Sequence, residues 1–426
     1  MRPGLKGMEL KSFAMMAADA SHGQTGGGGS GVCWLFPHFH PVLAGAAERF
    51  RRYAPTLTRD GFQLEVITAR DPSTLPATEV VDAILPVTRM TVSPQAGQRD
   101  LTLYRAAAAR LSAEPARGVV QTIKSGRHLL PSLLKIRRSG RRLVQVCTMV
   151  EPGVEGLPPV QRIKTRVATW LSFLPYSSII TSSTVMSDWH RQFGVPAKKM
   201  HVIPNGVDTT RFRPPTDEFE KKALRESLDL PPYAMICLFA GNMIPRKRPH
   251  LLVKAWEKVR LRHPDAILLL VGPALRPTIG SASEGTEISG YQQALFQAIS
   301  AAGSSVRWLA ERTDMERIFQ AADIFAFPTE QEGFGNVLLE AMAVGLPVLS
   351  AQYRGYPEKE LEGTVCLVGE SADDWAVALS DLMNNREARQ TMSQKGRVLI
   401  DQRFRVEKII AMLESVYLGQ HPSWMP

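Results

Sequence analysis

Short apolar runs that read as buried strands alternate with segments of helical period along most of the chain. In the first half these runs are VCWLF, QLEVIT, RLVQVCTMV, SSIITSS and MHVIPN. Near-continuous apolar strands between helices predict βαβ units, with a parallel sheet covered on both faces. Ala47, Phe50, Ala54 and Leu57 form a helical stripe, and Pro55 inside it predicts a kinked or shortened helix. The stretch IPNGVDTTRFRPP, residues 203–215, breaks the alternation with turn formers and reads as a hinge. The second half restarts with AMICLFAG, AILLLVGP, VRWLA, IFAFPT and PVLS, again separated by helical patterns. From Arg405 to Leu418 one face carries Val406, Ile409, Ile410, Leu413, Val416 and Tyr417, a closing amphipathic helix.

The prediction is therefore an α/β chain of two Rossmann-like, doubly wound domains facing a central cleft. The expected boundaries are 32–205 for the first domain, 206–215 for the hinge, 216–400 for the second domain and 401–419 for the closing helix. In such sheets ligands bind outside the carboxyl ends of the strands. A length of 426 residues suits two cores rather than one.

Composition changes this picture little. Hydrophobic residues make up 44% and charged residues 22%, as in a soluble globular protein. No apolar run reaches the roughly 18 residues of a membrane-spanning helix. The four cysteines, Cys33, Cys147, Cys237 and Cys366, lie in or beside apolar runs without ligand spacing. Buried reduced thiols and a cytoplasmic setting are expected. The first 31 residues carry SHGQTGGGGSG, a linker composition that predicts a disordered tail. Its short patch SFAMMAADA follows an acidic Glu9, which suits a secretory signal poorly; Met8 is the alternative start.

Charge divides the chain. Residues 1–205 hold 26 Lys/Arg against 13 Asp/Glu, while residues 206–426 hold 25 against 28. Two halves with different partners are implied.

Candidate chemistry concentrates in PTEQEGFGNVLLEAMAVGLPVLS, residues 328–350. A strand ends at PT, EQEGFG is a loop, and a helix starts near Asn336. The free N–H groups of a helix start make an anion site, and Gly333 and Gly335 would let a ligand approach the backbone. Glu340, one turn into the helix, leans back toward the cleft, where its two oxygens suit vicinal ribose hydroxyls. Glu332 lies on the loop and faces whatever hangs off the phosphate. Either glutamate alone could be a dipole partner or a solvated charge; the loop glycines and the strand-loop-helix context favour a joint site. GNMIPRKRPH, residues 241–250, places Arg246, Lys247 and Arg248 at another strand's carboxyl end, where cations neutralise a leaving diphosphate.

With these motifs in order, the chain resembles glycosyltransferase family 4, retaining enzymes of GT-B fold. The resemblance spans about Val32 to Leu418 and rests on IPNGVD, PRKRPHLLVKAW, EGFGNVLLEAMAVGLPV and, more weakly, GAAERF. It implies transfer of a hexose-type sugar from a nucleoside-diphosphate sugar to a glycan or lipid-linked acceptor, in cell-surface polysaccharide or glycolipid synthesis. It implies Glu332 as the catalytic-site glutamate near the transferred sugar and Glu340 on the donor ribose. Gly335, Asn336 and Val337 would hold sugar and phosphate groups through their backbone. Lys247 would sit on the diphosphate, with Arg246 as a helper, and Gly45 and Ala46 would line the cleft floor. The departing diphosphate would itself take the acceptor's proton on the same face. The chain departs from the pattern at Asn242, where an arginine is usual, at Ala46 in place of a glycine, and at Thr148-Met149 in place of a histidine.

No Asp-x-Asp occurs and no Gly-x-Gly-x-x-Gly follows a strand. Metal-independent chemistry without a cofactor is the expectation, and a dinucleotide dehydrogenase is disfavoured. The rival readings are a GT-B epimerase or phosphorylase and a degenerate, non-catalytic glycan-binding member. Residues 101–150 contain ten Lys/Arg and one acid. Within them HLLPSLLKIRRSGRR reads equally as a basic segment resting on anionic membrane and as a core helix with solvated arginines. Nucleic acid is not expected, since no aromatic residues interleave with the charges.

Overall fold

The computed structural model describes residues 31–422, apart from 43–44, 94, 96, 115–117, 150–156 and 275–281. The tail expected over 1–31 lies outside the described residues except for Gly31, which opens the first strand.

Eight strands build the first sheet: β1 (Gly31–Phe36), β2 (Gln63–Ala69), β3 (Thr78–Val81), β4 (Leu85–Met90), β5 (Val119–Thr122), β6 (Arg142–Val146), β7 (Ser178–Thr181) and β8 (Met200–Val202). Their order is β3-β4-β2-β1-β5-β6-β7-β8. Every pair is parallel except β3 with β4. Strands β3, β4 and β5 do not stand out in the hydrophobic pattern because polar residues interrupt them, as TEVV, LPVTRM and VVQT. The second sheet comprises β9 (Ile236–Ala240), β10 (Ile267–Val271), β11 (Val306–Leu309), β12 (Ile324–Phe327), β13 (Val348–Ala351) and β14 (Cys366–Val368). It runs β11-β10-β9-β12-β13-β14, wholly parallel. Strands β9, β10, β12 and β13 are buried throughout, as helices on both faces require. The architecture is GT-B, two Rossmann-like domains with the closing helix returned to the first.

That return is made by packing. The helix Val406–Tyr417 inserts Ile409, Ile410, Leu413, Val416 and Tyr417 into the core built on Val32, Trp34, Phe50 and Val66. The Tyr417 hydroxyl accepts from Trp34 Nε1 at 3.1 Å and donates to Gln121 Oε1 at 2.6 Å. The two chain crossings between the domains lie side by side: Val207 N donates to Phe404 O at 2.8 Å and Val406 N to Val207 O at 3.0 Å.

Two expectations change, and one open choice between readings is decided. Pro55 does not shorten its helix, which runs from Gly45 to Arg59. Ala47, Phe50, Tyr53, Ala54 and Leu57 are all buried along it, so packing of the apolar face outweighs one missing hydrogen bond. Cys366 is exposed, not buried, because β14 is an edge strand. For HLLPSLLKIRRSGRR the structure supports the core-helix reading: Leu129, Leu133 and Ile136 are fully buried. Of the basic residues here, Arg137 donates to Pro175 O at 3.2 Å, Arg141 to Glu114 O at 2.9 Å and Arg142 to the carbonyls of Val416 and Tyr417.

Tyr417→Phe is expected to lose about 1–2 kcal/mol of stability by orphaning the Trp34 and Gln121 groups. Tyr417→Ala should lose about 3–5 kcal/mol, both measured by urea unfolding.

Candidate active site

Carboxyl ends of strands from both sheets converge on one cavity of about 250 Å³. From the first domain it is lined by Gly45, Ala46, Arg49, Cys147, Thr148, Ser182 and Asn205. From the second come Lys247, Glu332, Gly333, Phe334, Gly335, Asn336 and Val337. Seven residues singled out in the sequence, Gly45, Ala46, Lys247, Glu332, Gly335, Asn336 and Val337, thus share one space.

Two helices point their N-termini into it. One starts at Gly45. The other, Asn336–Val344, is preceded by Gly335 at φ +89°, a left-handed turn that a side chain would strain. Unpaired N–H groups and the positive dipole ends therefore face the same volume from opposite walls. Gly333 also serves the packing of the two domains. A β-carbon there would overlap the carbonyl oxygen of Thr148, so this glycine lets the second domain's loop press against the end of β6. Three further contacts cross the cleft. Ser182 Oγ donates to Gly333 O at 3.3 Å, and Asn205 Nδ2 donates to Asn336 Oδ1. Glu360 Oε1 accepts from Thr184 N at 2.7 Å, at the start of the helix Thr184–Gln192.

The electrostatics centre on Glu332. Its Oε1 pairs with Lys247 Nζ, takes a 2.9 Å bond from Arg246 Nη1 and a 3.3 Å bond from Thr329 Oγ1. Arg246 also donates to Gln331 O. It does not line the cavity and acts on it through Glu332. Burial lowers the pKa of the Lys247 ammonium, and the Glu332 carboxylate opposes that shift. Lys247 is thus a largely buried cation whose counter-charge is a side chain on a loop. A bound polyphosphate would take over that role.

Glu340 stands apart from this cavity. Its carboxylate lies 3.9 Å from Arg52 Nη1 of the first domain. Burial raises its pKa, while Arg52 and Arg211 pull it down and Glu316 pushes it up. The two glutamates of the motif therefore have separate surroundings, Glu332 against Lys247 and Arg246 and Glu340 facing Arg52.

Arg49, Ser182 and Asn205 did not stand out in the sequence. The signal that locates them is topological, since Ser182 directly follows β7, Asn205 follows β8 and Arg49 lies one turn into the helix after β1. Arg49 Nε is buried without a partner among the described residues, and its guanidinium stacks 4.7 Å above the Phe50 ring. His190 reaches Cys147 behind the cavity wall, with Nε2 3.1 Å from Sγ. Among the described residues no group of His, Cys, Asp or Glu is placed to hold a metal ion.

With this geometry in view, the comparisons with known proteins are specific. The model of the glycosyl transferases group 1 domain matches residues 220–399, and that of glycosyltransferase family 4 matches residues 43–211. The chain belongs to glycosyltransferase family 4. A D-inositol 3-phosphate glycosyltransferase of Corynebacterium aurimucosum is 29% identical over 245 residues, 56% of each chain. A GDP-mannose-dependent monoacylated alpha-(1-6)-phosphatidylinositol monomannoside mannosyltransferase of Corynebacterium glutamicum is 30% identical over 261 residues, 59% of this chain and 63% of that one. These alignments span a little over half the length of the curated relatives. Among solved structures, Anabaena HepE in complex with UDP and glucose superposes with a TM-score of 0.70 at 21% identity, over 92% of this chain and 100% of that one. Sucrose-phosphate synthase of Thermosynechococcus elongatus gives 0.72 at 19%, over 92% and 98%. At these identities the family 4 chain shares the GT-B fold with them.

Gly333→Ala is expected to force the domains apart, seen as a larger radius of gyration in small-angle scattering and a lower melting temperature. Gly45→Ala, where a β-carbon meets nothing within 4 Å, should change neither.

Proposed function

We propose that this family 4 chain is a retaining, metal-independent hexosyltransferase, taking its sugar from a nucleoside-diphosphate sugar and passing it to a hydroxyl of a glycan or lipid-linked acceptor. The observation that carries the reading is the meeting of Lys247, Glu332 and the Asn336 helix start in one cavity, with the first domain closing the opposite wall. In this reading Lys247 and the backbone of Gly335, Asn336 and Val337 hold the diphosphate. Glu332, freed from Lys247, accepts hydrogen bonds from the sugar, and Glu340 accepts from the ribose hydroxyls.

The transfer needs no protein nucleophile. The bond from the anomeric carbon to the diphosphate oxygen breaks, the acceptor oxygen bonds to the same face, and its proton passes to the departing phosphate oxygen. Charge builds on the diphosphate, where Lys247 and the helix amides act in a site sheltered from water. Arg49 adds a cation from the first domain once the cleft is closed. No Asp-x-Asp chelating pair occurs in the sequence, which supports leaving-group stabilisation by side chains and amides.

The donor base and the acceptor are the open choices. HepE was solved with UDP, and the C. glutamicum relative is named for GDP-mannose, so both classes belong in the first panel. The two relatives are named for a phosphorylated inositol and an acylated phosphatidylinositol mannoside, which favours an acceptor carrying phosphate or lipid.

A panel of UDP- and GDP-sugars is expected to yield one donor that raises the melting temperature and releases nucleoside diphosphate. Stabilisation by none would leave the degenerate, glycan-binding reading, and interconversion of nucleotide sugars without release would mean an epimerase. Lys247→Ala should weaken donor binding by at least about tenfold, from the loss of one buried charged contact. Glu332→Gln should cut turnover more than it changes donor affinity. Burial raises the Glu340 pKa, and the ionised form is the one that accepts from both ribose hydroxyls. Donor affinity should therefore fall as pH drops, beginning above the ordinary carboxylate range. Isothermal titration from pH 8 to 5 checks this, and Glu340→Gln should flatten the profile.

A further inference from the structure

The helix Pro159–Phe173 is turned inside out relative to an ordinary surface helix. Val160, Ile163, Val167 and Trp170, with Leu174 just beyond, fall at alternating steps of three and four residues and so share one face. Their exposures are 64%, 63%, 50%, 43% and 41%. The opposite face, carrying Thr165, Ala168, Thr169 and Ser172, is the one turned to the protein, where Ser172 is buried and bonds back to Ala168 O at 2.8 Å. Other exposed apolar side chains, such as Phe219, Tyr233 and Leu261, are scattered singly, whereas this one is a continuous stripe. Continuous exposed apolar surface marks an interaction site.

Charge identifies the partner. The helix has no acidic residue, and helical spacing sets Lys164 on one flank of the stripe with Arg162 and Arg166 on the other. At its far end Arg137 and Lys199 both donate to Leu174 O. None of these five cations has an ion-pair partner among the described residues. An apolar stripe with a tryptophan, edged by cations that bond at most to backbone carbonyls and to no carboxylate among the described residues, fits the boundary between headgroups and acyl chains.

We propose that the outward face of the Pro159–Phe173 helix docks the protein onto a bilayer surface containing anionic phospholipid. The helix connects parallel strands β6 and β7, so it starts at their carboxyl edge, the edge that borders the cavity. Docking therefore sets the cleft mouth beside the lipid. That this brings an acceptor to the cleft rests on the proposed function; the docking itself does not.

The test is sedimentation of the full chain with vesicles of phosphatidylcholine alone or with about 30% phosphatidylglycerol. Binding is expected only with phosphatidylglycerol, weakening as salt rises. Arg162→Ser and Lys164→Ser should each lower partitioning about fivefold. Ile163→Glu with Val167→Glu should lower it by at least about tenfold. The double variant should keep the parent melting temperature and the parent response to nucleotide sugars.

Absence of vesicle binding by the parent, or unchanged binding by the double variant, overturns the proposal. So does a parent dimer in sedimentation velocity that the double variant abolishes, which would give the face to a second copy. So too does vesicle binding that appears only when residues 1–30 are removed, which would give it to the chain's own N-terminus. Vesicle binding without any response to nucleotide sugars would refute the proposed function and leave the docking standing.

Discussion

Two backbones touch where the domains meet, the loop at Gly333 and the carbonyl of Thr148, and the site depends on that contact. It leaves no space for a side chain, so the carboxyl edges of the two sheets can come within reach of one ligand. Ser182, Asn205 and Glu360 add hydrogen bonds around it. The closing helix makes the arrangement durable, because Tyr417 and its neighbours belong to the first domain's core although the chain arrives there from the second. Two crossings bonded to each other through Val207 then act as one joint.

Within that frame the site is built around one largely buried cation. Lys247 is largely buried and held by Glu332, which Arg246 and Thr329 hold in turn. Burying a cation is costly without a partner, and the Glu332 carboxylate is that partner. Asn242 stands where the family resemblance implies an arginine. Arg49 lines the same cavity from the first domain, so positive charge reaches it from across the cleft instead. Such a cation contributes only when the domains are together, which would link charge neutralisation to closure.

Much of this was legible along the chain because it is written in local patterns. Parallel strands buried on both faces produce unbroken apolar runs, turn formers mark the hinge, and a glycine before a helix signals a left-handed entrance. Glu332, Lys247, Gly335, Asn336 and Val337 were findable because each sits at a strand's carboxyl end in a recognisable loop. Arg49 was hidden inside an ordinary amphipathic helix, and Ser182 looked like one more small residue after a strand. Their importance comes from neighbours supplied by the other domain.

The sequence by itself determined the two-domain α/β organisation, the positions of the loops that meet at the cavity and the helix that returns, since periodicity and turn chemistry act over a few residues. Tertiary structure alone decided which surfaces are inside. HLLPSLLKIRR and PVQRIKTRVATWLSF carry similar mixtures of leucine-like and basic residues, yet the first buries its apolar face and the second exposes it. Pro55 is tolerated and Cys366 is exposed for the same reason: burial belongs to the whole packed assembly. The separation of Glu332 from Glu340 is also tertiary, because the cations that surround each of them arrive from distant parts of the chain.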